Sequence, residues 1–241
     1  VLIRQTWRDL RTLSQLARPS RRTGSLAERL EDFYRGQADD YDTFRQRLLP
    51  GRCELIKSLP LAPVAIWIDL GGGTAHNLVH AGPALASLRQ VYLVDLTPSL
   101  LTIARQRCRD QGWTNVTLIE GDATDVRLPA GTADVVTCSY SLTMIPEWRA
   151  AVSEAWRLLR PGGTFGAVDF FVAPHHPSMT RRVWPWWFAH SHVHLSADHL
   201  PFLQRRFETS SLTEARTPLP YVPVGRVPYY RFTGVKTPLT P

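Results

Sequence analysis

Apolar residues change their spacing several times along this chain, and each change predicts an element. Over residues 2–17, Ile3, Trp7, Leu10, Leu13 and Ala17 recur three and four positions apart. Arg4, Arg8, Arg11 and Arg18 fall mostly off that stripe, which predicts a basic amphipathic helix. Pro19-Ser20-Arg21-Arg22-Thr23-Gly24 reads as a linker. A second helical stretch is expected over 25–49, opened by Ser25 and Glu28 at capping-box spacing and closed by Pro50-Gly51. A short helix then runs up to Ser58. From residue 64 short apolar runs alternate with helical periods. Strands are expected near 64–70, 90–95, 115–120, 133–139, 163–172, 206–213 and 227–233. Helices are expected near 74–88, 98–111 and 147–160, with looser ones between 176 and 205. Thr97-Pro98 supplies a hydroxyl cap and a proline for the first turn, and Pro161-Gly162-Gly163 a stop and turn before the next strand. Such alternation predicts an α/β domain: a mostly parallel seven-stranded sheet with helices on both faces. The last two strands have no helix between them and carry prolines, which predicts an antiparallel edge at the C-terminal end. The division expected is a helical extension over 1–59, made of the basic amphipathic helix and a cofactor/substrate lid, and one domain over 60–241.

The charge sharpens this division. Net charge is +7, and residues 1–22 hold six arginines against one acid, Asp9, so +5 of it belongs to the N-terminal segment. An anionic partner follows. Nucleic acid is disfavoured, because the excess sits at one terminus rather than along a groove. Two placements suit the basic helix: in an anionic membrane interface, or packed on the domain as a surface helix. No apolar run approaches the ~20 residues of a spanning helix. Residues 1–10 show no continuous apolar core of a signal peptide. Cys53, Cys108 and Cys138 are few, odd in number and without metal-ligand spacing, so free thiols in a reducing cytoplasm are expected.

The chemistry concentrates at strand ends. Ile66-Trp67-Ile68-Asp69-Leu70-Gly71-Gly72-Gly73-Thr74-Ala75 reads as a buried strand, an acid and a tight turn into a helix. Gly71, Gly72 and Gly73 let backbone approach a ligand, and the helix expected near Thr74 aims its first amides there. Asp95 ends the second strand, where a carboxylate can accept both hydroxyls of a ribose. Asp122 follows the third, where it can accept from an adenine amine while a neighbouring amide reads the ring. A nicotinamide dinucleotide site also wants glycines and an acid, but its third fingerprint position here is His76, too bulky for close helix–strand packing. The three acids together point to S-adenosylmethionine and methyl transfer.

The chain resembles class I S-adenosylmethionine-dependent methyltransferases over about residues 60–234. More narrowly it is similar to the methyltransferase of betaine-lipid synthesis. The resemblance is carried by Tyr41-Asp42-Thr43-Phe44-Arg45, Asp69-Leu70-Gly71-Gly72-Gly73-Thr74 and Ser139-Tyr140-Ser141-Leu142-Thr143-Met144-Ile145-Pro146. It continues in Val168-Asp169-Phe170-Phe171-Val172 and Tyr221-Val222-Pro223-Val224-Gly225-Arg226-Val227-Pro228-Tyr229-Tyr230. It implies a Rossmann-like fold with S-adenosylmethionine held by Asp69, Gly71, Gly72, Gly73, Asp95, Leu96, Asp122, Ala123 and Ser139. It implies successive methylation of the amine of diacylglycerylhomoserine, a lipid supplied by a partner enzyme, with the protein peripheral to a membrane on its cytoplasmic side. Two departures stand out: Ala75 replaces a third spaced glycine, which changes the turn, and 174–200 match less closely.

The implied reaction assigns further residues. A quaternary ammonium product suits aromatic faces, about 0.5–2 kcal/mol per ring, and Tyr34, Tyr41, Tyr140, Tyr221, Tyr229 and Tyr230 are candidates. Tyr41, Tyr140 and Tyr230 are expected to orient the head group with Arg226, whose guanidinium matches its carboxylate; Arg45 is second choice. His175-His176 follow a strand end at a site mouth. His190, His192 and His194 alternate without acids or cysteines, so no metal site is expected, and solvent serves as the base. Val183-Trp184-Pro185-Trp186-Trp187-Phe188 either meets lipid or forms a lid over the cofactor. Two other functions remain open: methylation of a soluble amine, and a non-catalytic binding module with a vestigial site.

Overall fold

The computed structural model describes residues 24–35, 48–189, 193–218 and 225–237. The basic segment 1–22, Tyr41, Arg45, His190, His192 and Tyr221 lie outside these residues. The elements are α1 (Leu26–Arg35), α2 (Arg52–Ser58), β1 (Ile66–Leu70), α3 (His76–His80), α4 (Ala84–Ser87), β2 (Gln90–Asp95) and α5 (Pro98–Asp110). They continue with β3 (Val116–Glu120), β4 (Ala133–Ser139), α6 (Trp148–Leu158), β5 (Leu159–Phe170), α7 (Ser178–Phe188), α8 (His199–Arg206), β6 (Glu208–Pro218) and β7 (Arg226–Val235).

The seven strands lie in the order β3-β2-β1-β4-β5-β7-β6. The first five pair in parallel, and β7 pairs antiparallel with both β5 and β6. This is the predicted α/β architecture, mostly parallel with an antiparallel C-terminal edge. The order reverses at β1/β4, so the carboxyl ends of β1, β2 and β4 open on one crevice, where such sheets bind ligands.

Period-two alternation divides the buried residues between the sheet faces. Trp67, Val91, Leu93 and Val135 pack with Ile56, Leu78, Leu85, Leu101 and Ala104 of α2 to α5. Ile68, Val94, Val136 and Phe165 pack with Val152, Ala155 and Leu158 of α6 and Leu200 and Leu203 of α8. Each fully buried side chain of this size contributes about 1.5–3 kcal/mol. Helix α2, although expected in the extension, is part of this body: its Leu55 and Ile56 are buried.

Several local expectations change. The helix expected over 74–88 is two short pieces, because Gly82 and Pro83 interrupt it. Strand β5 begins at Leu159 and runs through Pro161-Gly162-Gly163, so the expected turn is an irregularity within a strand, with a register shift against β4 between Ala133 and Val135. The Ser25 capping box forms, with Glu28 N–H donating to Ser25 Oγ (3.3 Å) and Ser25 N–H to Glu28 Oε2 (2.7 Å). Thr97 makes no side-chain cap on α5. The Glu31 carboxylate of α1 takes the Ser99 N–H instead, at 3.1 Å, which fastens α1 to the start of α5. Cys53, Cys108 and Cys138 are free thiols. Among the described residues no helix is long and apolar enough to cross a membrane.

Candidate active site

A short strand followed by glycines can turn sharply, and the turn after β1 is pinned from both sides. Gly71 and Gly72 N–H both donate to Val94 O of β2, at 2.8 and 3.2 Å. Gly71 has φ +70°, and a Cβ there would stand 2.5 Å from Ser141 Cβ. Ala75 itself takes the left-handed conformation, φ 61°, at a cost of about 1–2 kcal/mol. The short α3 then begins at His76.

The turn borders a cleft of about 820 Å³, open solvent at its mouth included. Gly71, Gly72, Gly73, Asp95, Leu96, Asp122, Ala123 and Ser139 all line it. Asp95 receives Gly73 N–H on Oδ2 and Thr97 N–H on Oδ1, both at 2.9 Å. Asp122 is exposed, with Oδ1 accepting Thr124 N–H at 2.8 Å. An ionised carboxyl offers about four acceptor positions.

Asp69 does not line the cleft; it is buried beneath it. Its oxygens take Thr137 Oγ1–H at 2.6 Å and Asn77 Nδ2–H at 3.0 Å, and Thr137 in turn accepts Trp67 Nε1–H at 2.8 Å. It therefore fastens Asn77 of α3 to Thr137 of β4 beneath the glycine turn. Burial pushes its pKa up to about 6, against the pull of Thr137, Asn77 and the nearby Arg52 charge.

The head-group residues separate. Tyr140 lines the cleft, directly after β4, with φ 54°, a strained conformation for a tyrosine of the kind found at functional sites. Its hydroxyl donates to Pro50 O at 2.7 Å, and burial raises its pKa well above the usual phenol range, so it stays a donor. Tyr230 does not line the cleft. It is fully buried against Phe171 and His199, because alternation along β7 turns it inward with Phe232. Tyr229, on the opposite face, packs in the cluster that contains Tyr140. Arg226 is exposed at the start of β7 and lines no part of the cleft; its carbonyl accepts Trp184 Nε1–H at 3.1 Å.

The lining also includes Leu26 and Leu30 of α1, Leu49 and Arg52, all within the segment expected as a cofactor/substrate lid, and Met144. They come from helices and turns folded back from other parts of the chain. Tyr34, also from α1, donates its hydroxyl to Met144 Sδ at 3.0 Å. The Ser25–Glu28 box was the one sequence signal that α1 starts there.

Asp169 is buried beside the site, accepting Thr143 N–H (3.0 Å), Thr143 Oγ1–H (2.7 Å) and Phe170 N–H (2.8 Å). Burial outweighs these bonds and pushes its pKa up to about 7. A raised carboxyl pKa adds stability below the unfolded value, and that stability is lost as pH rises through the folded value. The stability of the native protein minus that of Asp169→Asn is therefore expected to fall from about pH 4 to about pH 7 by on the order of 4 kcal/mol. Urea denaturation across that range measures it, and a pH-independent difference would contradict the assignment.

His175, His176 and Glu214 bring one ligand atom each within 4.8 Å of one another. His175 Nε2 meets Glu214 Oε2 at 2.9 Å, while His176 Nδ1 accepts Ala173 N–H at 3.1 Å. That bond leaves the proton on His176 Nε2, which suits a hydrogen-bonded cluster better than a metal ligand.

The residues present fit S-adenosylmethionine. Ser139 Oγ is a buried hydroxyl in the lining with no partner among the described residues. Gly73 keeps the backbone beside Asp95 free of a side chain, since a Cβ there would stand 3.9 Å from Asp95 Oδ2.

Comparison with known proteins agrees. Residues 68–167 match the Methyltransf_11 family, described as a methyltransferase domain. The chain is 25% identical over 144 residues to demethylmenaquinone methyltransferase of Anoxybacillus flavithermus, covering 58% of this chain and 61% of that protein. It is 26% identical over 150 residues to the ubiquinone/menaquinone biosynthesis C-methyltransferase UbiE of Methylobacterium nodulans, covering 59% of each. The chain thus spans about three fifths of the length of these curated relatives. Among solved structures, Haemonchus contortus phosphoethanolamine N-methyltransferase 2 with S-adenosyl-L-methionine superposes with a TM-score of 0.73 at 15% identity, covering 90% of this chain and 61% of that one. With its strand order and glycine turn, the chain has the Rossmann-like fold of S-adenosylmethionine-dependent methyltransferases, and its residues 68–167 match the methyltransferase-domain family.

Proposed function

We propose that the protein successively methylates the amine of diacylglycerylhomoserine to the trimethylated betaine lipid. It does so at an anionic membrane surface, beside a partner enzyme that supplies the lipid. The observation that carries this reading is the make-up of the cleft: Tyr34 and Tyr140 line it with Leu26, Leu30, Met144 and Ile145, next to the glycine turn. An apolar, aromatic wall suits an acceptor that ends as a fixed cation on an apolar body.

Bound S-adenosylmethionine supplies an electrophilic methyl group. Asp95 would accept its ribose hydroxyls, Asp122 its adenine amine, and the glycine turn would cradle it, with Ser139 Oγ available as a further polar contact. Arg52 places a guanidinium in the lining for a carboxylate, the role expected of Arg226. Tyr140, held by Pro50 O, presents its ring beside that of Phe170, with centroids 4.8 Å apart. Leu26, Leu30 and Tyr34 of α1 exclude water, so that the amine lone pair is presented without competing solvent.

A second reading is favoured by the quinone C-methyltransferases among the relatives: C-methylation of a lipid quinone. A third keeps the site and replaces the lipid by a soluble amine. Transfer of a labelled methyl group is measured with three acceptors: diacylglycerylhomoserine in vesicles, demethylmenaquinone in micelles, and free homoserine. The proposal expects label on the first at least about tenfold faster than on the others. Preference for the quinone or for homoserine would replace it.

A further inference from the structure

Helix α7 has two apolar faces. Trp184 and Phe188 are buried, and Phe188 stacks on Phe170 at 5.1 Å, whose ring meets Tyr140 at 4.8 Å. Two ring contacts therefore join this helix to the wall of the cleft. Its other side carries Met179, Val183, Trp186 and Trp187, exposed by 73, 38, 67 and 45%. Positions four and seven or eight apart fall on one side of a helix, so these form one stripe. Val64 and Val79 are the other large exposed apolar residues among those described, so most of this surface belongs to a single helix.

The charge along this helix has one sign. Arg181 and Arg182 are exposed on the same helix, and no acidic residue occurs between Asp169 and Asp198. Tryptophans beside arginines on a helix surface match the interface of an anionic bilayer, where the indole rings sit at head-group level and the guanidiniums meet phosphate.

We infer that α7 is the membrane-docking element: Met179, Val183, Trp186 and Trp187 enter the interface of an anionic bilayer, and Arg181 and Arg182 hold its head groups. This deepens the lipid-acceptor reading and rests on it only for its purpose. With α7 docked, the cleft wall at Tyr140 lies behind the buried face of this helix, two ring contacts from the bilayer.

The full chain is mixed with phosphatidylcholine vesicles, with or without phosphatidylglycerol, and binding is read by flotation. Met179→Ser/Trp187→Ser should weaken binding to the anionic vesicles about tenfold or more. Arg181→Gln/Arg182→Gln should weaken it by about fivefold for each charge, with the loss confined to anionic vesicles. S-adenosylmethionine affinity by calorimetry should stay native in both, showing that the domain is intact. Equal flotation of native and variant proteins would overturn the proposal, moving docking to the basic N-terminal segment. So would a dimer that forms without lipid and is broken by Met179→Ser/Trp187→Ser. Methylation of a short-chain acceptor dispersed in detergent separates this from the acceptor assignment. Lost flotation with that activity retained leaves both standing. Native flotation with no methylation of the amine lipid removes the acceptor reading alone.

Discussion

Asp95→Ala is expected to reduce S-adenosylmethionine affinity by roughly a hundredfold to ten-thousandfold in titration calorimetry. Asp95 ends β2 in the cleft lining, and each hydrogen bond from a ribose hydroxyl to a charged carboxylate contributes about 1.5–3 kcal/mol. Two such bonds give about 3–6 kcal/mol, which converts to that range. The same carboxylate also anchors Gly73 N–H and Thr97 N–H, so part of the loss comes from a loosened turn. Asp122→Ala is the comparison. Asp122 is exposed and holds only the Thr124 amide among the bonds the structure shows, so its loss should be smaller. Unchanged affinity in Asp95→Ala would remove the ribose from this strand end.

Gly71→Ala should destabilise the fold by about 2–5 kcal/mol: about 1–2 for a left-handed alanine and about 1–3 for overpacking. The added Cβ would meet Ser141 Cβ at 2.5 Å and Oγ at 3.1 Å, and that hydroxyl is tied to Leu70 O at 3.0 Å. At about 2–4 °C per kcal/mol for a chain of this size, Tm falls by roughly 4–20 °C. Gly82→Ala isolates the conformational part. Gly82 also has positive φ, +56°, but a Cβ there meets nothing within 4 Å. Equal losses in the two variants would show that the glycine turn is not packed on the segment after β4.

The sheet was legible because its strands are short apolar runs ended by acids or glycines, and a parallel sheet demands both. Asp69, Asp95 and Asp122 stand at the ends expected of them. The sequence could not tell a ligand-facing acid from a buried one. Asp69 and Asp95 both end or nearly end a strand, but only the register of β1 against β4 puts Asp69 beside Thr137. Tyr230 failed for a related reason. In a segment as aromatic as Val227-Pro228-Tyr229-Tyr230-Arg231-Phe232, one residue decides between core and site, and pairing with β5 gives Tyr230 to the core. Tyr34 is one of six candidate tyrosines, and the sequence gives neither Arg52 nor Met144 a role of its own. Their place in the cleft depends on how α1, α2 and the turn after β4 fold onto the sheet, which no local period records. In α7, the apolar run at 183–188 was visible, but only the helix separates Trp184 and Phe188 inside from Trp186 and Trp187 outside.

The most direct test is mass spectrometry of lipids after incubating the purified chain with S-adenosylmethionine and diacylglycerylhomoserine vesicles. The account predicts stepwise appearance of species bearing one, two and three added methyl groups, all lost in Asp95→Ala. An unchanged lipid, with cofactor binding shown separately by calorimetry, would contradict the amine-lipid assignment while leaving the methyltransferase domain in place.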